Sequence, residues 1–273
     1  MYQMKWRIHH RTLYTYATPA RDSFNEVRLT PANNERQTLE FFSLQTTPTA
    51  TTRRYNDFCG NTVHHFEIAA PHNSLLIESY ALVSTHSPPA LSENASLPSL
   101  TSDMPYSFDY LSPTRFVDLD PATWRLAVDA TSGVKDPWQA ALAIMRFVHK
   151  YLTYLPASTH VHTHLRDVLA SRCGVCQDFA HMMLGLCRTL KMPARYVSGY
   201  LATEQVSATH AWVELLLPTL GWHPLDPTHN RQIDGTYMKI ASGRDYSDVA
   251  PVAGYYKGSL HRKKQVDVRI EPG

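Results

Sequence analysis

Apolar residues recur at every second position in several short runs of the first third of the chain. The run from Trp6 to Tyr16 alternates in this way, so one face of an extended chain can be buried. The run from Leu75 to Thr85 is apolar on both faces, which is typical of a central strand. Residues 53–61 contain a Gly-Asn pair that favours a turn. Five or six short strands with turns between them predict an antiparallel β-sandwich over residues 1–86.

The pattern changes after residue 86. Six prolines in a serine-rich stretch break any long helix or strand over residues 87–121, so we interpret this stretch as a linker. Its aromatic residues are expected to pack along a second domain over residues 122–273. Asp120-Pro121 and Asp136-Pro137 each place an N-cap residue before a proline, which predicts two helices at the start of that domain.

The stretch from Ser171 to His181 predicts a helix that begins at Cys176. Gly174 allows the chain to turn just before it without a Cβ penalty. Apolar residues then recur at helical spacing, and Met192-Pro193 ends the helix because the residue before proline avoids the α region. Cys176 therefore lies in the first turn, where free N–H groups and the helix dipole favour an anion. Since a thiol acts as a nucleophile only as thiolate, we predict that Cys176 is catalytic.

The negative charge of Asp178 opposes a thiolate, so the prediction also requires a histidine beside Cys176. The chain contains 15 histidines. His181 is the nearest in sequence, but five helical residues rotate it by about 140° onto another face. Three more alternate with other residues upstream: His160, His162 and His164. We interpret these three as part of a polar, partly exposed strand or loop; a metal site is the alternative, but no acidic or thiol partner stands at zinc spacing.

His210 is the histidine that the strand pattern favours. It opens a β-type run to Leu217, and a second run from Trp222 to Asp226 follows, so the two are expected to form a hairpin. A three-residue loop over Leu217–Thr219 would place His210 directly opposite Asp226. Asp226 could then hold one ring nitrogen while the other faces Cys176, which is the nucleophile, base and orienter geometry of a catalytic triad.

Further strands are expected around this hairpin, over Ala194–Ala202, Ile233–Ile240 and Val266–Ile270. With the predicted helices they give an α+β fold. Aromatic residues of these strands are candidates to line the active-site cleft, although buried aromatics of a sheet would follow the same pattern: Tyr196, Tyr200 and Trp212.

Three motifs carry a resemblance to a known family: Gly-Val-Cys176-Gln-Asp-Phe-Ala, Thr-His210-Ala-Trp-Val and Leu-Asp226-Pro-Thr. In order and separation they resemble the transglutaminase-like core in its bacterial form, and the likeness extends over nearly the whole chain, including the N-terminal β domain. The resemblance implies a papain-like core with Cys176 as nucleophile, His210 as base and Asp226 as orienter. It also implies a helix with the nucleophile packed on an antiparallel sheet that holds the other two residues.

Cys173 departs from the expected pattern, since it forms a C-x-x-C pair with Cys176. The pair could be accidental, or Cys173 could be a resolving thiol that caps Cys176 reversibly. A thiol–disulfide oxidoreductase is the third interpretation, but it would require a preceding buried strand, and Leu165–Ala170 is more typical of a short helix.

Composition excludes several classes of protein. Lys+Arg and Asp+Glu number 26 and 24 without charge runs, which indicates neither nucleic acid nor an acidic partner. Four cysteines do not make a disulfide framework. The first ten residues lack the apolar core of a signal peptide, and no apolar run approaches the ~20 residues that span a bilayer. We expect a cytoplasmic protein without membrane contact, cofactor or metal ion.

A Cys-His-Asp site performs acyl transfer through an acyl-thioester. The backbone N–H of Cys176 would meet the oxyanion, with Gln177 and Tyr200 as candidates for a second donor. We expect hydrolysis of a peptide or amide, with a protein or a peptidoglycan-type peptide as candidate substrates. The resemblance is to bacterial members described as cysteine proteases, and no calcium loop is evident. Two alternatives remain: a transglutaminase that transfers the acyl group to an amine, and a binding protein with a vestigial site.

Overall fold

The computed structural model describes residues 3–87, 90–98, 108–202, 207–258 and 261–273. The first strands are β1 Gln3–Val27, β2 Gln37–Thr47, β3 Arg53–Asn56, β4 Thr62–Ile68 and β5 His72–His86. The middle of the chain forms α1 Pro121–Thr131, α2 Pro137–Tyr151, β6 Thr153–Tyr154, α3 Leu165–Ser171, β7 Cys173–Gly174 and α4 Cys176–Thr189. The last part forms β8 Ala194–Ala202, β9 Ser207–Leu217, β10 Gly221–Asp226, β11 Arg231–Gln232, β12 Tyr237–Gly243, α5 Tyr246–Val249, β13 Val252–Lys257 and β14 Arg262–Pro272.

The long strand β1 organises the first sheet. Its first half pairs with β5 and β14, and its second half pairs with β4 and β13, with a change of register after Thr15 where the chain bends. The sheet therefore curls into two layers whose inner faces share one apolar core. That core includes Tyr14 and Leu75 from one layer and Val27 and Phe66 from the other.

The second sheet has the antiparallel order β11-β10-β9-β8-β12, and α4 packs against it. The buried side chain of Arg188 joins the helix to its surroundings, because its guanidinium donates to the carbonyl oxygen of Ala194 at 2.9 Å and to that of Ser112 at 3.3 Å. Burial lowers the pKa of Arg188 to about 10, so the group stays charged at neutral pH. The C-terminal end of α4 is thereby held in place.

The predicted fold class, an α+β chain with an antiparallel β-sandwich before a helix-on-sheet core, is confirmed. The helix starts are also as expected, since Asp120 accepts from the backbone of Thr123 at 2.7 Å and Asp136 from that of Trp138 at 2.9 Å. None of the helices in the described residues is long and apolar enough to cross a bilayer.

The expected division of the chain differs from the structure at its C-terminal end. Residues 122–273 were assigned to the core, but β13 and β14 pair with β1 and belong to the first sheet. The physical reason is that β1 would otherwise leave one long edge with unpaired backbone groups. Two local expectations also change: residues 53–61 include β3 before their turn, and the strand expected over Ile233–Ile240 lies at Tyr237–Gly243.

The stretch over residues 87–121 contacts the core at several described positions. The backbone of Leu91 exchanges two hydrogen bonds with the side chain of Gln232, and the indole N–H of Trp138 donates to the carbonyl of Ser92 at 2.8 Å. Tyr110 is buried beside Trp222. Residues 88–89 and 99–107, including Tyr106 of the expected aromatic segment, lie outside the described residues.

Candidate active site

Cys176 is the first residue of α4, as the sequence predicts, and its side chain is half-buried at the wall of a cleft of about 250 Å³. Val175 before it is extended, with φ −110° and ψ −179°. The backbone N–H of Asp178 donates to the carbonyl of Val175, and no such bond engages the N–H groups of Cys176 and Gln177 in the described part of the chain. These free N–H groups can receive negative charge at the head of the cleft.

Asp178 closes the start of the helix, and this explains Gly174. The Asp178 carboxylate accepts the backbone N–H of Val175 at 2.8 Å and the hydroxyl of Thr159 at 2.6 Å. A Cβ on Gly174 would lie 2.5 Å from the Cβ of Asp178, so glycine is required for close approach. Burial raises the pKa of Asp178, and these hydrogen bonds act against that rise.

His210 and Asp226 lie on the neighbouring strands β9 and β10. The ring Nε2 of His210 is 2.8 Å from Oδ2 of Asp226. The predicted register is wrong by two positions: the loop is Pro218–Leu220 and Val213 pairs with Leu225, so the two residues are diagonal neighbours and not directly opposite. A shift of two keeps both side chains on one face, which is why the contact survives.

The carboxylate of Asp226 is fully buried, and both of its oxygens accept hydrogen bonds. Oδ2 accepts hydrogen bonds from the ring Nε2 of His210, from the ring Nδ1 of His229 at 2.8 Å and from the hydroxyl of Tyr237 at 2.6 Å. Oδ1 accepts the backbone N–H of Thr228 at 2.8 Å. Burial alone would raise the pKa of Asp226, but these hydrogen bonds hold it well below its usual range, so the carboxylate is ionised.

The imidazole of His210 lies between this carboxylate and the thiol of Cys176. Burial disfavours its charged form, but hydrogen bonds and charges of Asp226 and Cys176 outweigh burial and raise the pKa of His210 to about 9. Because Nε2 is held by Asp226, Nδ1 is the ring nitrogen that remains for the thiol. The structure thus brings Cys176, His210 and Asp226 together in the predicted order.

The rest of the cleft is lined by both sheets. Tyr196 and Ser198 of β8 form one wall, and His10 of β1 with Lys264 of β14 come from the first sheet. Among the aromatic candidates, Tyr196 lines the cleft. Tyr200 and Trp212 do not line it.

The candidates for a second oxyanion donor are placed differently. The hydroxyl of Tyr200 is 2.8 Å from Nδ1 of buried His10, and Tyr200 itself does not line the cleft. Gln177 does line the cleft, and its side-chain amide donates to the carbonyl of Val161 at 3.2 Å. Tyr196 lies close enough to Cys176 for the thiol charge to raise its pKa, although burial raises it more. No hydrogen-bond partner of the Tyr196 hydroxyl is found among the described residues.

The remaining sequence candidates lie elsewhere. His181 is fully buried and accepts the backbone N–H of Tyr246 at 3.2 Å. Cys173 and Gly174 are in a strand and Val175 is extended, and three extended residues span up to about 10 Å. A disulfide requires roughly 4.4–6.8 Å. A resolving role for Cys173 would therefore require the backbone to rearrange.

His229 and Tyr237 are site residues that the sequence analysis missed. His229 lies in the turn after β10, where Asp226 accepts the backbone N–H groups at 228 and 229, and an Asp followed by a Pro-Thr turn was the available signal. Ligand atoms of His210, Asp226 and His229 lie within 4.8 Å of one another, the spacing of a possible metal site within the described residues. In this structure Oδ2 of Asp226 already forms hydrogen bonds of 2.8 Å with Nε2 of His210 and with Nδ1 of His229.

A thiol at a helix start, facing an imidazole and a carboxylate on an antiparallel sheet, defines a class of cysteine-dependent papain-like folds. The chain belongs to the transglutaminase-like superfamily. Residues 125–227 match the core of that superfamily, and residues 6–84 match the bacterial transglutaminase-like N-terminal region.

Relatives support this membership over the whole chain. An uncharacterised protein of Mycobacterium leprae is 37% identical over 266 residues, which cover 93% of this chain and 94% of that protein. The protein-glutamine gamma-glutamyltransferase of Pseudomonas aeruginosa is 30% identical over 129 residues, 41% of this chain and 19% of that protein. A solved structure of a candidate cysteine protease from Cytophaga hutchinsonii has the same fold, with a TM-score of 0.84 at 23% identity over 100% of this chain and 91% of that one.

Proposed function

We propose that the protein is a cysteine hydrolase that cleaves amide or peptide bonds through an acyl-thioester on Cys176. The observation that carries this proposal is the position of His210, which lines the same cleft as Cys176 and whose Nε2 lies 2.8 Å from Asp226. The free thiols of the described residues suit the cytoplasm, which is the compartment we propose.

The first half of the reaction forms the acyl-enzyme. The raised pKa of His210, about 9, keeps the imidazole protonated at neutral pH. An imidazolium beside a cysteine favours the reactive thiolate form. The thiolate sulfur attacks the carbonyl carbon, and the C=O electron pair moves to the oxygen, which meets the backbone N–H of Cys176. When this intermediate collapses, the C–N bond breaks and the amine leaves with the proton from Nδ1 of His210.

The second half releases the product. Neutral His210 takes a proton from water, whose oxygen attacks the thioester carbonyl. Collapse breaks the C–S bond, releases the carboxylic acid and restores the thiolate and imidazolium. Asp226 stays ionised throughout and fixes the ring orientation, as in other triads.

Transfer to an amine is the second candidate, in which a primary amine replaces water. The likeness to the Pseudomonas aeruginosa glutamyltransferase favours it over the part of the chain that is shared. Product analysis separates the two, since hydrolysis gives a carboxylic acid even with excess amine and transfer gives a new amide.

The test of the proposal is the reactivity of the thiol. We expect iodoacetamide at pH 6 to alkylate Cys176 much faster than an ordinary thiol, and the excess rate to vanish in His210→Ala. Cys173→Ser is the matched control, because Cys173 is also half-buried but does not line the cleft. Slow alkylation that His210→Ala does not change would instead support a binding protein with a vestigial site.

A further inference from the structure

A second groove continues from the candidate active site. It has a volume of about 460 Å³ and shares Val161, Tyr246 and Lys264 with the cleft that holds Cys176. We call it the cationic groove, and its charged residues are Arg115, Arg262 and Lys264. A substrate that reaches Cys176 along this path must pass Lys264.

The cationic groove contains no counter-charge within the described residues. In the described ranges of the chain, no aspartate or glutamate lines it or the adjoining cleft. Arg115, Arg262 and Lys264 form no ion pair with a described residue, whereas the chain as a whole has 24 acidic residues for 26 lysines and arginines. Arg262 and Lys264 stand two positions apart on β14, and the charge of Arg262, after partial burial, lowers the pKa of Lys264.

The positions of these cations are fixed by the first sheet. Arg262 pairs with Tyr16 and Lys264 with Tyr14, so the two basic side chains alternate along β14 and share one face. The guanidinium of Arg262 lies 5.2 Å from the ring centre of Tyr14 and 5.8 Å from that of Tyr256. Such stacking orients the arginine while its N–H groups remain free to bind an anion.

The third cation comes from the other side of the groove. Arg115 precedes α1, and its guanidinium lies 5.2 Å from the ring centre of Phe116, which is itself buried. Two separate parts of the chain therefore direct positive charge into one channel that leads to the thiol.

We infer that the cationic groove binds carboxylates of the substrate, so that the enzyme acts on acidic peptides with aspartate or glutamate near the scissile amide. This inference rests on the proposed function of Cys176 and names its substrate class. Exposed ion pairs are individually weak, but several unpaired cations in a groove raise both the local concentration and the affinity of an anion.

The experiment compares two fluorescent peptides that differ only in glutamate or glutamine residues beside the same scissile amide. Binding to Cys176→Ala is measured by anisotropy, and kcat/KM is measured with the active enzyme. We expect roughly tenfold tighter binding and faster cleavage of the acidic peptide at low salt, and a smaller ratio at 500 mM NaCl as expected for screened charges. Arg262→Gln with Lys264→Gln should bring the ratio close to one.

Lys263→Gln is the matched control, because it removes the same charge from the next position of β14, on the opposite face. It should keep the wild-type ratio. Equal binding of both peptides, or a ratio that the Arg262→Gln/Lys264→Gln variant retains, would overturn the inference. The Cys176-dependent burst with a neutral activated ester tests the proposed function separately, so a burst without charge preference rejects only the acidic substrate class.

Discussion

The ring Nε2 of His210 and the carboxylate Oδ2 of Asp226 are 2.8 Å apart, although the two residues are diagonal neighbours across β9 and β10. The diagonal arrangement leaves room on the same oxygen for the hydroxyl of Tyr237 at 2.6 Å. Hydrogen bonds from both His210 and Tyr237 thus fix the carboxylate of Asp226, and a change in its position would also move the ring of His210. The geometry of the base therefore depends on a buried, ionised carboxylate.

Asp226→Asn should leave a folded protein with little activity. The amide keeps one acceptor oxygen, but it cannot stabilise the imidazolium and it favours the wrong ring tautomer. We expect kcat/KM to fall by about 10³–10⁴-fold, in line with the equivalent change in a triad. Circular dichroism should show a native spectrum. Activity within tenfold of wild type in a folded variant would exclude Asp226 as the orienter.

The pH profile of the wild-type enzyme should have a basic limb near pH 9. The folded pKa of His210 is raised to about 9 from 6.5, so the imidazolium is present below that pH and is lost as the pH rises through it. The active ion pair, and the stability that it adds, should be lost over the same range. Because Asp226 contributes to the raised pKa, the limb should move to lower pH in Asp226→Asn. Measurement of kcat/KM from pH 5 to 10.5 tests this, and a limb at the same pH in both proteins would contradict it.

Tyr196→Phe should slow the chemical step more than it weakens substrate binding. The Tyr196 side chain lines the cleft near Cys176 and its hydroxyl has no hydrogen-bond partner among the described residues, so it is available to a developing oxyanion. Loss of one oxyanion donor lowers kcat by about 10²–10³-fold. Tyr200→Phe is the comparison, because that hydroxyl is engaged with His10 and should affect kcat little. Equal effects of the two changes on kcat would remove Tyr196 from the oxyanion site.

Short-range features of this site could be predicted from the sequence. The helix start at Cys176 follows from Gly174 and the apolar spacing after it, and the helix ends at Thr189, shortly before the predicted Met192-Pro193 stop. The two N-caps at Asp120 and Asp136 are equally local.

Features that depend on turns or distant pairing could not be predicted. The hairpin loop lies one residue further along than expected, with Thr219 at φ 63° and Gly221 at φ 68°, and a shift of this size moves every pair. Tyr237 reaches Asp226 from beyond the hairpin, so no spacing rule links the two. The pairing of β14 with β1 joins opposite ends of the chain. Alternating apolar residues predict a strand over Val266–Ile270, but nothing local identifies β1 as its partner.

The buried His10 should make the stability of the fold depend on pH. Its ring nitrogens contact the hydroxyls of Tyr200 at 2.8 Å and Thr12 at 3.0 Å, and it joins the first sheet to the second. Burial, together with the charge of Lys264, lowers its pKa to about 4. Between that value and 6.5 the unfolded chain binds a proton that the folded protein does not, so the free energy of unfolding falls as the pH falls through this window.

His10→Gln should therefore reduce this pH dependence. By linkage, His10 contributes roughly 2 kcal/mol to the difference in the free energy of unfolding between pH 7.5 and pH 5. Urea unfolding at the two pH values should show that the free energy of unfolding falls less between pH 7.5 and pH 5 in His10→Gln than in wild type. Some loss should remain, because burial also lowers the pKa of His181 to about 4. The same loss in both proteins, with unchanged urea dependence, would mean that His10 is protonated as readily in the folded protein as in the unfolded chain.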